Sequence, residues 1–151
     1  MSSLHRYLRP LPLVAVLRGI TPAEIDAVGA ALADNGFRIL EVPLNSPDPF
    51  ESITRMAREF SEHCLLGAGT VLKVEDVARV ADAGGELIVM PHGDVAIVRE
   101  AKRLGLVCLP GVATTTEAFA ALDAGADGLQ TDYPGELVRF LRAAPSTSLS
   151  N

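Results

Sequence analysis

The chain has 151 residues, of which 48% are hydrophobic and 21% are charged, a composition ordinary for one globular domain. Its formal net charge of -6 argues against a general nucleic-acid or anionic-membrane surface, although a local positive pocket could still hold a small anion. The start of the chain lacks an apolar signal-peptide core, and no apolar run approaches the length of a membrane span. These features predict a cytoplasmic protein. Cys64 and Cys108 lie in apolar runs and are predicted to be buried free thiols.

Short aliphatic runs alternate along the chain with longer, alanine-rich amphipathic stretches. The predicted strands are 13–17, 38–42, 64–67, 86–90, 106–109 and 128–131. The predicted helices are near 22–35, 49–60, 74–83, 94–104, 115–124 and 135–143. Several helices end on a glycine that directly precedes a strand, as in ADNGFRIL and AKRLGLVCL. This pattern is typical of a left-handed residue that ends a helix.

A βα repeat with short connections predicts parallel strands joined by right-handed crossovers. Two architectures fit it. One is a (β/α)8 barrel of which about six units are present, and the other is an open doubly wound parallel sheet. The repeat predicts a single domain over residues 1–143, and the polar, serine-rich segment 144–151 is predicted to be disordered. In either architecture ligands bind at the carboxyl ends of the strands, so functional residues are sought there.

Glu41 is the first candidate, because it lies inside the second predicted strand. Alternation places it on one face with Ile39 and Pro43. A carboxylate on the inner face of a buried strand is costly unless it is paired or its pKa is raised, and a raised pKa suits proton transfer. Arg18 ends the neighbouring strand and is predicted to point inward, where it fits carboxylate or phosphate recognition. The structural alternative is an ion pair between the two residues.

The stretch GAGT, which ends at Thr70, places backbone N–H groups at a strand-to-helix turn and can hold a small anion. Taken alone this signal is weak, since such glycines also serve close packing. The segment 114–117 reads as a helix N-cap with Glu117 completing a capping box, rather than as a catalytic group. The histidines have no metal-like spacing with carboxylates, so no metal site is predicted.

Five stretches carry a family resemblance, and they are LVAVLRGITP, ILEVPLNSP, LLGAGTVL, LIVMPHGD and LPGVATTTEAFAALDAGADGL. Together they resemble the 2-keto-3-deoxy-6-phosphogluconate-type class I aldolases over residues 11–129, and EVPLNSP is similar to the galactonate branch. The resemblance implies a (β/α)8 barrel that cleaves 2-dehydro-3-deoxy-6-phosphogalactonate to pyruvate and glyceraldehyde 3-phosphate through a lysine Schiff base. It also implies a homo-oligomer, commonly a trimer, with a small 2-keto acid as partner and neither nucleic acid, membrane nor cofactor.

The same resemblance implies roles for individual residues. Glu41 would shuttle protons during formation and breakdown of the Schiff base. Arg18 and Thr70, with the backbone of Gly69, would hold the carboxylate of the pyruvyl group. Pro91 would form part of the pocket wall. These residues are therefore the expected catalytic and substrate-binding set.

One position departs from the family pattern. The Schiff-base lysine of the sixth strand falls on Gln130, and a glutamine amide cannot form an iminium with a ketone. Lys73 and Lys102, the two lysines of the chain, are both predicted to be surface charges. The family's phosphate-binding loops follow strands seven and eight, beyond the six units present. Aldolase activity is therefore expected to be weak or lost.

The ending of the chain resembles a second family. Residues 126–143 are similar to the last strand and helix of glycerophosphodiester phosphodiesterases, although the early His-Arg-Gly and metal-binding carboxylates of that family are not found. This suggests a grafted or diverged ending on an aldolase-like body. Three functions stay open: a weak aldolase, a non-catalytic keto-acid binder, and a truncated or chimeric barrel relic that oligomerises.

Overall fold

The computed structural model describes residues 4–9 and 11–143. The strands are β1 Ala15–Val16, β2 Ile39–Pro43, β3 Leu65–Gly69, β4 Leu87–Met90 and β5 Val107–Pro110. The helices are α1 Leu4–Leu8, α2 Ile25–Asp34, α3 Pro49–Phe60, α4 Val74–Asp82, α5 Val95–Arg103, α6 Thr115–Asp123 and α7 Pro134–Ala143, and a 3-10 turn at Pro22–Glu24 precedes α2. The predicted tail, 144–151, lies outside the described residues.

The strands form one parallel sheet in the order β1-β2-β3-β4-β5, which confirms the predicted parallel α/β class. A doubly wound sheet reverses its strand order at a switch point, and this sheet does not. The doubly wound alternative is therefore wrong. Right-handed crossovers that always advance in one direction place their helices on one face of the sheet. In agreement, α2 packs on α3, α3 on α4, α4 on α5 and α5 on α6.

The prediction of a sixth strand at 128–131 is wrong, because only an isolated bridge joins Gly111 to Gln130. The physical reason lies at Asp127. Its N–H donates to the Cys108 carbonyl at 3.0 Å, and its carboxylate accepts from the Cys108 N–H at 2.9 Å. A side chain thus takes the place of a backbone acceptor, so a regular ladder does not form there. Backbone pairing resumes only at Gln130, whose N–H donates to the Pro110 carbonyl at 3.0 Å.

The predicted helix ends are confirmed. The glycines that follow helices before a strand have positive φ, and they are Gly36, Gly84, Gly105 and Gly125. The capping box at the start of α6 is also present, since the Thr114 hydroxyl accepts from the Glu117 N–H at 3.2 Å and the Glu117 carboxylate accepts from the Thr114 N–H at 3.3 Å. Helix α1 was not predicted from the sequence.

The two faces of the sheet are covered by different parts of the chain. The larger cluster lies between the sheet and helices α2 to α5, and its strand members include Leu40, Val42, Leu66, Ala68, Ile88 and Cys108. On the opposite, inner face, a smaller cluster joins α1 to four strands through Leu4, Tyr7, Ile39, Leu65, Leu87 and Val107. Because α1 sits on the residues near the amino ends of these strands, the carboxyl ends stay available for a ligand.

Both cysteines are buried and free, as predicted. Burial raises the pKa of the Cys108 thiol to about 12, so it stays protonated and unreactive. None of the helices in the described ranges is long and apolar enough to cross a bilayer.

Candidate active site

Glu41 is a buried carboxyl group on the inner face of the sheet. Its register partner on β3 is Gly67, and it shares its face with Ile39, as the alternation predicted. Only 4% of its surface is exposed. Burial raises its pKa to about 7, and the Arg18 guanidinium and the Gly69 backbone oppose this rise. Such a group can give or take a proton near neutral pH.

Two features surround the Glu41 carboxylate: one of its oxygens lacks a hydrogen-bond donor among the described residues, and a glycine leaves space beside it. Of the described residues, none donates a hydrogen bond to Oε2. A Cβ at position 69 would collide with this carboxylate, and a Cβ at position 67 would collide with the Leu87 backbone. Gly69 thus provides room for the acid, and Gly67 allows the close approach of β4. Thr70 follows them with a left-handed φ of 54°, a conformation that a β-branched residue rarely adopts.

Arg18 lies exposed just after β1, at the same end of the sheet. Its charge lowers the pKa of Glu41, but no ion pair in the described part of the chain includes it. The direct ion pair considered as a structural alternative is therefore not formed. The backbone beside Arg18 is tied at both sides. The Leu17 N–H donates to the Glu41 carbonyl at 2.9 Å, and the Gly19 N–H donates to the Ser46 hydroxyl at 3.1 Å.

Gln130 lies exposed at the bridge that follows α6, and its side chain is hydrogen-bonded. Its amide nitrogen donates to the Met90 carbonyl at 2.9 Å and to the Leu109 carbonyl at 3.3 Å. It therefore caps the carboxyl ends of β4 and β5. Gln130 and the exposed Pro91 line a cleft of about 320 Å³ together with Gly111, Val112, Ala113, Thr131, Asp132 and Tyr133.

The structure thus brings the predicted residues together in two groups at the carboxyl ends of the strands. Glu41, Gly69 and Arg18 interact directly or through their charges, with Thr70 next to Gly69 in the chain. Pro91 and Gln130 share the cleft, and Glu41 is not among the residues that line it. The described residues contain no group of three or more His, Cys, Asp or Glu placed to hold a metal ion.

Lys102, which was predicted to be a surface charge, is only partly exposed and is paired with Asp127. Its ammonium donates to the Asp127 carboxylate at 2.7 Å and to the Leu106 carbonyl at 3.1 Å, and its side chain is 32% exposed. Leu106 precedes β5, so Lys102 lies toward the amino end of that strand, away from the candidate residues. Helical periodicity predicted that Lys102 faces outward, but it could not predict the contact with the Asp127 carboxylate, 25 residues later. Lys73 is exposed at the start of α4, as predicted.

Two residues with defined structural roles were missed by the sequence analysis. Ser46 occurs there only within the stretch ILEVPLNSP, although it is 7% exposed and its hydroxyl accepts a hydrogen bond from the N–H of Gly19, 27 positions earlier. Asp127 occurs there only within the stretch LPGVATTTEAFAALDAGADGL and the ending 126–143. No local pattern identifies either contact, because each partner belongs to a different βα unit.

Comparison with known proteins agrees with the predicted family. A sequence model of the aldolases described as KDPG and KHG aldolase matches residues 4–144, a range that includes the ending at 126–143. A probable 2-dehydro-3-deoxy-6-phosphogalactonate aldolase of Rhizobium meliloti (strain 1021) is 50% identical over 119 residues, which are 79% of this chain and 56% of that protein. The 2-dehydro-3-deoxy-6-phosphogalactonate aldolase of Escherichia coli (strain K12) is 48% identical over 120 residues, 80% of this chain and 58% of that protein. The chain thus spans less than two thirds of either relative.

Solved structures give the same result. A native KDPGal structure superposes with a TM-score of 0.85 at 42% identity, covering 90% of this chain and 68% of that chain. A cube-shaped porous cage, designed by fusing symmetric oligomeric domains, superposes with a TM-score of 0.84 at 41% identity, covering 93% of this chain and 53% of that chain. The 2-keto-3-deoxy-6-phosphogluconate aldolase of Zymomonas mobilis ZM4 with 3-phosphoglycerate superposes with a TM-score of 0.83 at 26% identity, covering 94% of this chain and 71% of that chain. The chain belongs to the KDPG and KHG aldolase family.

Proposed function

We propose that this chain binds a 2-keto acid at the carboxyl ends of its strands and that its Schiff-base aldol cleavage is weak or absent. The observation that carries this proposal is Gln130. It stands where the family resemblance puts the lysine, and its amide is engaged by the carbonyls of Met90 and Leu109. An amide nitrogen is not nucleophilic, so the covalent step has no attacking group at this position. Losing a covalent nucleophile commonly costs several orders of magnitude in rate.

The binding half of the proposal rests on Glu41 and Arg18. An exposed guanidinium is suited to the carboxylate of a keto acid. A carboxyl with a pKa of about 7 and an unpartnered Oε2 is suited to hydrogen-bond or protonate the neighbouring keto oxygen. Gly69 and Thr70 would complete the carboxylate site, and Pro91 would form the pocket wall beside Gln130. This assignment explains why a costly acid is kept on the inner face of the sheet.

The substrate and architecture of the whole family are also proposals for this chain. The names of its relatives favour 2-dehydro-3-deoxy-6-phosphogalactonate, which yields pyruvate and glyceraldehyde 3-phosphate, as the ancestral substrate. The sequential strand order and the single layer of crossover helices support a sheet that is an arc of a (β/α)8 barrel. A cytoplasmic homo-oligomer, as a trimer, is the proposed state, and the two free cysteines fit a reducing compartment.

A second candidate function is a barrel relic whose role is to assemble. Val16 and Leu13 are each 50% exposed, and in the described residues β1 pairs with β2 alone. A short strand with an unpaired edge and exposed apolar side chains favours pairing with another chain. This candidate needs no ligand, so a binding measurement separates it from the first.

The test combines trapping and binding. The protein is incubated with pyruvate and borohydride and analysed by intact mass and peptide mapping, with the Escherichia coli relative as the positive control. In parallel, pyruvate binding is measured by calorimetry for the wild type, Arg18→Ala and, as an exposed-arginine control, Arg103→Ala. We expect no adduct, with saturable binding that Arg18→Ala removes and Arg103→Ala keeps. An adduct at Lys73 or Lys102 would overturn the loss of Schiff-base chemistry. Absence of binding, with concentration-dependent assembly, would favour the relic.

A further inference from the structure

The loop that carries Arg18 is joined to the end of β2 by a buried serine. The Ser46 hydroxyl accepts the Gly19 N–H at 3.1 Å, while the Ser46 N–H donates to the Pro43 carbonyl at 2.9 Å. Ser46 is thereby fixed by the turn that follows β2, and only 7% of its surface is exposed. On the other side of Arg18, the Leu17 N–H donates to the Glu41 carbonyl at 2.9 Å. The backbone of Arg18 is thus held to the strand of Glu41 both before and after it.

We propose that Ser46 is a positioning residue, whose hydroxyl fixes the place of the Arg18 guanidinium relative to the Glu41 carboxyl. The inference rests on the proposed function for its consequence, since Arg18 and Glu41 are the residues assigned to the ligand. Its structural part stands on the Ser46–Gly19 contact alone.

The need for such a tie follows from the surroundings of Arg18. The residue is exposed, and no ion pair in the part of the chain that is described holds its guanidinium. The backbone therefore sets the point from which its side chain starts. Gly19, which follows it, has a φ of 76°, a conformation that glycine adopts at low cost among several others. A hydrogen bond from the N–H of that glycine to a buried hydroxyl selects one of these conformations.

The consequence for a ligand is a fixed spacing between a cation and an acid. The carboxylate and the keto oxygen of a 2-keto acid are on adjacent carbons, so a site that contacts both must hold its two groups in register. Among the described residues, Arg18 is the charged group whose field acts on Glu41. Displacing the loop would therefore change the ligand site and the protonation of Glu41 together.

The first measurement needs no ligand. The Glu41 carboxyl is titrated by carbon NMR in the wild type, Ser46→Ala, Ser46→Thr and Ser52→Ala. Ser52 is the matched control, because it is a fully buried serine whose hydroxyl has no partner among the described residues. We expect Ser46→Ala to raise the pKa of Glu41 by about half a unit, as the opposing charge becomes mobile. Ser46→Thr keeps the hydroxyl and should restore the wild-type titration, and Ser52→Ala should leave it unchanged.

A double variant identifies the path of the effect. Arg18→Ala should raise the pKa of Glu41 at least as much as Ser46→Ala does, and adding Ser46→Ala to Arg18→Ala should then change nothing further. An additive shift, or an unshifted Glu41 in a folded Ser46→Ala protein, would overturn the positioning role. If Ser46→Ala does not fold, hydrogen exchange in the wild type decides, since the Gly19 amide should exchange far below its intrinsic rate and exchange at that rate would contradict the tie.

The second measurement is pyruvate affinity in the same variants. We expect Ser46→Ala to weaken binding several-fold, while Ser46→Thr and Ser52→Ala bind as the wild type does. If the wild type does not bind pyruvate, the proposed function fails, yet the titration still confirms or overturns the role of Ser46. If the wild type binds and Ser46→Ala binds equally well, the positioning role fails and the proposed function stands.

Discussion

Gly69 offers no side chain to Glu41, and the Glu41 carboxylate fills the space that a Cβ at position 69 would take. The two residues lie on neighbouring strands, and Gly69 is two positions beyond Gly67, the register partner of Glu41, on the same face of the sheet. The size of residue 69 therefore controls where the acid can lie. A glycine that sequence reasoning connected with anion binding acts here on the placement of a carboxyl group.

Gly69→Ala should displace Glu41 and destabilise the protein. Overpacking a buried site typically costs about 1–3 kcal/mol, and urea denaturation measures it. Gly135→Ala is the matched control, because a Cβ there meets no atom within 4 Å, and its midpoint should stay near that of the wild type. In a Glu41→Ala background the collision is removed, so Gly69→Ala should lower the free energy of unfolding much less. An equal cost in both backgrounds would contradict the steric relationship.

The raised pKa of Glu41 predicts a pH-dependent stability. The folded protein binds a proton at Glu41 up to about pH 7, whereas the unfolded chain releases it at its lower, ordinary pKa. This contribution to stability is complete below the unfolded pKa and is lost as the pH rises through about 7. Its size is on the order of 3 kcal/mol. We expect Glu41→Gln to flatten the decline in unfolding free energy between pH 5 and 8, and an unchanged slope would show that Glu41 titrates normally.

Gln130→Lys should not by itself restore normal turnover on the phosphorylated sugar acid. The carbonyls of Met90 and Leu109, which now accept from the glutamine amide, would accept from an ammonium and favour the protonated amine. Borohydride trapping with pyruvate should therefore be slight at neutral pH and increase at alkaline pH. Gln130→Met, which has similar length and no amine, is the control and should trap nothing. Near-normal turnover from Gln130→Lys would refute this account.

Asp127→Ala should destabilise the protein and loosen the segment that carries Gln130. The carboxylate accepts from Cys108 N–H and from Lys102, so its removal leaves both donors without this partner. Losing such a contact costs about 1–3 kcal/mol, measurable by urea denaturation. Arg103→Ala, which breaks an exposed pair with Glu100, should leave the midpoint unchanged. If the two variants behave alike, the Asp127 contacts do not hold the segment.

The elements that the sequence predicted well are those specified by local chemistry. Amphipathic periodicity located α3, periodicity with a glycine after the last turn located α4 to α6, and alternation placed Glu41 on the inner face. Helix α1 was missed because five residues are too few to show a helical period. The sixth strand failed because the Asp127 side chain replaces a backbone acceptor, a substitution that hydrophobic pattern does not record. The contacts of Ser46 with Gly19 and of Lys102 with Asp127 join separate βα units, so no local sequence pattern predicts them.

The order of the strands has a consequence for how the chain assembles as it is synthesised. Each strand pairs with the strand that precedes it, so every new βα unit finds its partner edge already made. Helix α1 is the exception. Its docking surface is built from Ile39, Leu65, Leu87 and Val107, the last of which is made about a hundred residues later. Helix α1 is therefore made before the strands on which it docks, and its docking surface is complete only after β5 has formed.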